Sequence, residues 1–170
     1  LNISKMNVAS AQIDHLKLKA GLNLQEERVI GNVKVFFYDL RFKQPLKVNC
    51  EDNEWLRPRT AHTIEHLLAV KLREVSEELG SNSERIISVF PYGCMTGFGV
   101  ISTLRPDDFS EILKETLEIV VKATEVPFAK KELCGNAIFH DLEDARFEIR
   151  EFIKVMVENK FKCNESPRKN

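Results

Sequence analysis

The sequence predicts an α+β fold, an antiparallel sheet packed against helices, in a single domain over residues 1–170. Three observations predict it. The chain alternates strand-like and helix-periodic segments without a strict βαβ rhythm. Two strand-like stretches, 84–90 and 98–104, flank a short glycine-bearing turn. At 170 residues and 43% apolar composition, one chain can bury a real core without disulfide or metal staples.

The elements follow in order. Residues 34–42 are rich in aromatic and β-branched side chains and predict a strand. Residues 43–59 carry Pro45, Asn49, Asp52, Asn53 and Pro58, which predict an irregular connection. Thr60 is the expected N-cap of the next element. Ile64, Leu67, Leu68, Leu72, Val75 and Leu79 then recur at helical spacing until Gly80 stops the helix. Residues 84–90 and 98–104 predict a hairpin-like pair, with Cys94 on the turn between them. Pro106, Asp107 and Asp108 open a second helix that places Phe109, Ile112, Leu113, Leu117, Val120 and Val121 on one face. Pro127 lies beyond its end, and 133–139 is a short apolar stretch. Asp141 caps a third helix with the stripe Leu142, Ala145, Ile149, Phe152, Ile153 and Met156.

Composition narrows the function classes. Net charge is −1 with both signs interspersed, which argues against a nucleic-acid or membrane surface. No apolar run is long enough to span a bilayer, and no signal peptide is expected. Cys50, Cys94, Cys134 and Cys163 are widely spaced and form no paired motif. They predict reduced thiols and a cytoplasmic location.

The chemistry concentrates in the first helix. His62 and His66 are four apart, so both imidazoles lie on one helical face and can grip one metal ion. Glu65 between them is placed to move protons beside that metal. An open catalytic site needs a third protein ligand. Spacing leaves Cys134, Cys94, His15, His140 and several carboxylates as candidates. Gly135 permits close backbone approach at Cys134. Cys94, between Gly93 and Gly97, is an accessible turn thiol. Ser10 and His15 could meet a polar substrate or cap local backbone. Arg41 could clamp a hydroxyl or carboxylate, or pair with Asp39. His140 and Asp141 read as a helix entry. The His-x-x-Glu-His order is also that of metalloproteases whose glutamate activates metal-bound water, so a small metallohydrolase is the alternative reading.

Six segments in this order resemble the S-ribosylhomocysteine lyase (LuxS) family. They are Ser10 with Asp14 and His15; 37–42; 62–67; 91–98; Cys134 with Gly135; and 140–143. The resemblance implies a divalent metal held by His62, His66 and Cys134, ferrous iron with zinc or cobalt able to substitute. It implies Glu65 and Cys94 as the general acid/base pair, and Ser10, His15 and Arg41 as contacts to the ribose. It further implies a homodimer with active sites at the interface, and S-ribosylhomocysteine as the substrate. Ala11, Ser88, Met95 and Gly99 depart from the family pattern, and the connection from Arg41 to His62 is longer than usual. These departures bear on the pocket lining and leave every implied ligand in place.

Overall fold

A computed structural model describes residues 12–44, 55–80 and 85–169. Strand β1 (Gly21–Ile30) and strand β2 (Val33–Arg41) pair antiparallel, from Gly21 opposite Arg41 to Ile30 opposite Val33. Gly31 takes φ +61 at the turn between them, a conformation that favours glycine. Helix α1 (Pro58–Glu78) follows, then β3 (Ile86–Pro91) and β4 (Gly97–Ser102), helices α2 (Pro106–Val120) and α3 (Leu142–Glu158), and a two-residue β5 (Asn164–Glu165). The sheet order is β3-β4-β2-β1-β5. Its four long strands are antiparallel, as the sequence predicts, while β5 adds to β1 in parallel.

The sheet carries the helices on one face because β2 alternates. Phe36, Tyr38 and Leu40 are buried in one core with Ile64, Leu67 and Leu68 of α1, Phe109 and Leu113 of α2, and Ile149 and Phe152 of α3. The period of two sends Asp39 and Arg41 to the opposite side of the strand. Tyr38 stacks on Phe109 with ring centroids 4.1 Å apart and donates its hydroxyl to the Leu104 carbonyl at 2.7 Å. Phe42 stacks on Phe152, also at 4.1 Å. Each large apolar side chain buried this way contributes about 1.5–3 kcal/mol.

Two expectations change. Helix α1 begins at Pro58, with Arg57 at the N-cap and no side-chain cap, so Thr60 lies inside the helix. Proline suits this first position because its missing N–H has no helical partner to lose. The Thr60 hydroxyl instead donates to the Asp144 carboxylate, tying the start of α1 to α3. Strand β1 lies in a stretch that the sequence analysis assigns to no element. The remaining helices fall where they are expected, and Asp141 caps α3 by accepting the Asp144 N–H at 3.0 Å.

Candidate metal centre

Helix α1 presents His62, Glu65 and His66 on one side, and the turns after α2 carry the groups that meet them. The Nδ1 of His62 is 2.9 Å from the Phe139 carbonyl, and that of His66 is 2.8 Å from the Pro127 carbonyl. A carbonyl only accepts, so each Nδ1 carries the hydrogen and each Nε2 keeps a free lone pair. His140 is fixed in the same way. The Thr63 hydroxyl spends its one hydrogen on the Arg59 carbonyl at 2.8 Å and accepts the Asp141 N–H at 2.9 Å. It can therefore only accept from His140 Nδ1, 3.3 Å away. The Nε2 of His140 is buried and has no hydrogen-bond partner.

These lone pairs converge. One ligand atom from each of His62, His66, Cys134 and His140 lies within 4.8 Å of the other three. The Cys134 Sγ is 3.4 Å from His62 Nε2. Two ligands of one tetrahedral zinc-like ion, one nitrogen and one sulfur, stand about 3.6 Å apart, so this spacing suits a shared metal. The orphaned His140 nitrogen and the mixed imidazole–thiolate donors point the same way. Burial, with His62 and His66 adding to it, lowers the His140 pKa to about 4, so this ring is neutral at neutral pH. Glu65 stands at the edge, its Oε2 3.9 Å from His66 Nε2. A cavity of about 310 Å³ opens beside Glu65 and His66 and is walled by Ala69, Val70, Phe128 and Leu133.

A second group forms around Arg41. Its Nε and Nη2 donate to one oxygen of Asp39 at 3.2 and 2.8 Å, and its Nη1 donates to Thr96 Oγ1. The Tyr92 ring covers the guanidinium at 4.7 Å. Burial pushes the Asp39 carboxyl above its usual range, while Arg41 opposes that shift. Burial works to lower the Arg41 pKa, but Asp39 outweighs it, and the guanidinium stays charged. The exposed Cys94 places its Sγ 3.0 Å from Thr96 Oγ1 and 3.9 Å from Arg41 Nη1. His15 is exposed, its Nδ1 3.2 Å from the Ile13 carbonyl. It is near enough to Asp39 to act on that carboxyl electrostatically. Ser10 lies outside the described residues.

Thus His62, Glu65, His66 and Cys134 come together, as do Arg41 and Cys94. Among the described residues no hydrogen bond or ion pair joins the two groups. His140, in the sequence one of several candidate third ligands and a helix entry, lies in the cluster itself. Thr63 and Thr96 carry no local sequence signal for their roles.

Comparison with known proteins decides the family. The sequence matches the family model "S-Ribosylhomocysteinase (LuxS)" over residues 8–163. The chain belongs to the LuxS family. It is 37% identical to an S-ribosylhomocysteine lyase of Listeria monocytogenes over 153 residues, which cover 88% of this chain and 90% of the relative. Similar proteins include the S-ribosylhomocysteine lyases of Helicobacter pylori, 34% identical over 160 residues (91% and 94% covered), and of Staphylococcus aureus, 36% identical over 156 residues (89% and 91% covered).

Gly99 and Met95 each have a distinct structural setting. Phe90 pairs across the strands with Gly99, and a Cβ on Gly99 would meet the Phe90 ring at 2.3 Å. The Phe90 ring thus occupies the space that a side chain at position 99 would need. Met95 takes φ +56 in the turn after Cys94 and packs its side chain against the core.

Proposed function

We propose that this chain is a metal-dependent S-ribosylhomocysteine lyase, a cytoplasmic enzyme that cleaves S-ribosylhomocysteine to homocysteine and 4,5-dihydroxy-2,3-pentanedione. The convergence of His62, His66, Cys134 and His140, in a chain of this family, carries the reading. His62, His66 and Cys134 hold the metal, and ferrous iron suits the mixed imidazole–thiolate set, with zinc or cobalt as substitutes. Residues 1–170 act as one domain.

The substrate dictates what the residues must do. A thioether is a poor leaving group until a carbonyl stands β to it. The sugar carbonyl must therefore move from C1 through C2 to C3. Each shift removes a proton from one carbon and returns one to its neighbour. A divalent cation in this centre supplies Lewis acidity toward the anionic sugar oxygens of these steps. Glu65, beside His66, and Cys94, an exposed thiol, serve as the groups that take and return the protons. With the carbonyl at C3, a base removes the C4 proton, the C5–S bond breaks, and the sulfur leaves as homocysteine. Oxidation level moves between neighbouring carbons of an unbroken five-carbon chain, so no external oxidant or reductant is required. Arg41, charged and held by Asp39, offers donors to ribose hydroxyls together with His15 and Ser10.

The separation of the two groups supports a homodimer with active sites at its interface. Cys94 and Arg41 sit at one end of the strands, and among the described residues no polar contact links them to the metal centre. A second copy can bring one group against the other. Exposed Phe128, Leu133 and Ile138 around the metal centre supply apolar surface for that contact.

The deciding experiment loads the protein with ferrous iron or cobalt and follows release of free thiol from S-ribosylhomocysteine, with metal content measured on the same sample. Stoichiometric metal with no thiol release overturns the proposal. The Cys94→Ala variant distinguishes it from a metallohydrolase, which would not need that thiol.

A further inference from the structure

We propose that Thr96 is a positioning residue for Cys94, presenting a hydrogen-bond donor to the sulfur when it is ionised. The inference rests on the reading of Cys94 as a proton carrier.

The direction of the hydrogen bonds makes the case. The guanidinium of Arg41 has donors only, so Thr96 Oγ1 accepts from Arg41 Nη1. The hydroxyl hydrogen of Thr96 is then free to point elsewhere, and Cys94 Sγ lies 3.0 Å from the oxygen. A thiolate can only accept. The chain Arg41 to Thr96 to Cys94 is therefore fully satisfied when the sulfur carries a negative charge. Arg41 Nη1 is itself 3.9 Å from the sulfur, so the hydroxyl is the closer donor. A charged donor behind the hydroxyl polarises it and strengthens the bond it makes forward.

The sheet fixes this arrangement. Gly97 is opposite Arg41 in the β2–β4 register, and a Cβ on Gly97 would meet the Leu40 carbonyl oxygen at 2.3 Å. Glycine there lets the β4 backbone approach β2 and brings the preceding Thr96 to the Arg41 side chain. The Thr96 carbonyl accepts the Lys43 N–H at 2.9 Å, and Thr96 is 3% exposed, so little freedom is left to its side chain. Asp39 on one edge of the guanidinium and the Tyr92 ring over its face hold the donor in place.

The test compares Thr96→Val, Thr96→Ala and Thr96→Ser in the full chain with cobalt bound. The readout is the rate of Cys94 alkylation by iodoacetamide, followed by peptide mass spectrometry across a pH series. Valine and alanine variants should alkylate Cys94 roughly tenfold more slowly near neutral pH, with the rise in rate displaced to higher pH. Serine, which keeps the hydroxyl, should restore the wild-type profile. If threonine acts only by packing, serine will behave like alanine, which overturns the proposal. It is equally overturned if the valine or alanine profile matches wild type. Should Thr96→Val fail to fold, alanine and serine answer the same question. Alkylation needs no sugar substrate, so a wild type that releases no thiol from S-ribosylhomocysteine would refute the lyase reading separately.

Discussion

His140 Nδ1 and Thr63 Oγ1 lie 3.3 Å apart, and that contact determines which nitrogen of His140 carries the hydrogen. Thr63 has already donated to the Arg59 carbonyl, so His140 must donate to Thr63 and leave Nε2 bare. Phe139 and Pro127 do the same for His62 and His66 through backbone carbonyls. Three imidazoles thus reach the centre in one tautomer before any metal arrives, which removes a reorganisation step from binding.

Loss of His140 should weaken the metal without emptying the centre. His140→Ala is expected to lower cobalt affinity by roughly tenfold or more, because it removes an unpartnered imidazole nitrogen from the cluster. Thr63→Val should move affinity in the same direction, and Thr63→Ser should preserve it. Competition against a chelator measures all three. An unchanged affinity in His140→Ala would show that its lone pair takes no part.

The proposed ligands and the proposed proton carriers should separate cleanly. Cys134→Ser or His62→Ala should lose both bound metal and thiol release. Cys94→Ala should keep a full metal complement, since Cys94 stands outside the cluster, while losing thiol release. Metal analysis and the thiol assay on each variant check this. A Cys94→Ala protein that purifies without metal would place Cys94 in the centre and contradict the assignment.

Much of this architecture was legible from local signals, and the exceptions have identifiable causes. Helices α2 and α3 announced themselves by Pro106 and Asp141 at their starts and by apolar stripes of period 3.6. Strand β1 did not, because Gln25, Glu26, Glu27 and Arg28 break the alternation where its second half runs toward solvent. At the start of α1, Thr60 competes with Pro58 as a boundary signal, and only tertiary packing reveals that the Thr60 hydroxyl serves Asp144. The i, i+4 pair of His62 and His66 is a local pattern and could be found in the sequence. The tautomer lock on His140 joins residues 77 apart, so no window of sequence contains it.

Alkaline solution should destabilise the fold. Burial, reinforced by Glu165 and Asp107, pushes the Cys163 thiol up from 9.0 to about 12. Burial likewise raises Tyr38 and Tyr92 above the ordinary phenol range. In each case the folded state holds its proton more tightly than the unfolded chain. The stability they contribute is complete below the unfolded values, about 9 for the thiol and about 10 for the phenols, and is lost as pH rises past them. Urea midpoints should fall as pH rises from about 9 to about 11, and Cys163→Ala should flatten part of that slope. A midpoint constant over this range would contradict the burial argument.

Phe90 and Gly99 should behave as one unit. They face each other across β3 and β4, and a Cβ at position 99 would meet three ring carbons of Phe90 at 3.0 Å or less. Gly99→Phe alone should therefore destabilise the protein by about 1–3 kcal/mol, the usual cost of overpacking. Phe90 is 39% exposed, so its ring can swing outward, which favours the lower half of that range. Phe90→Ala alone should cost less than a fully buried aromatic for the same reason. In the double variant the ring at position 99 can take the vacated space, so the two losses should sum to more than the measured total. A double-mutant cycle by urea unfolding reads this coupling. Strict additivity would mean that the two positions do not share one space. The cycle also bears on function, since Phe90 meets Tyr92 edge-on at 6.1 Å and Tyr92 covers Arg41. Moving the aromatic from β3 to β4 removes that neighbour from Tyr92, so the Michaelis constant should shift more than the turnover rate.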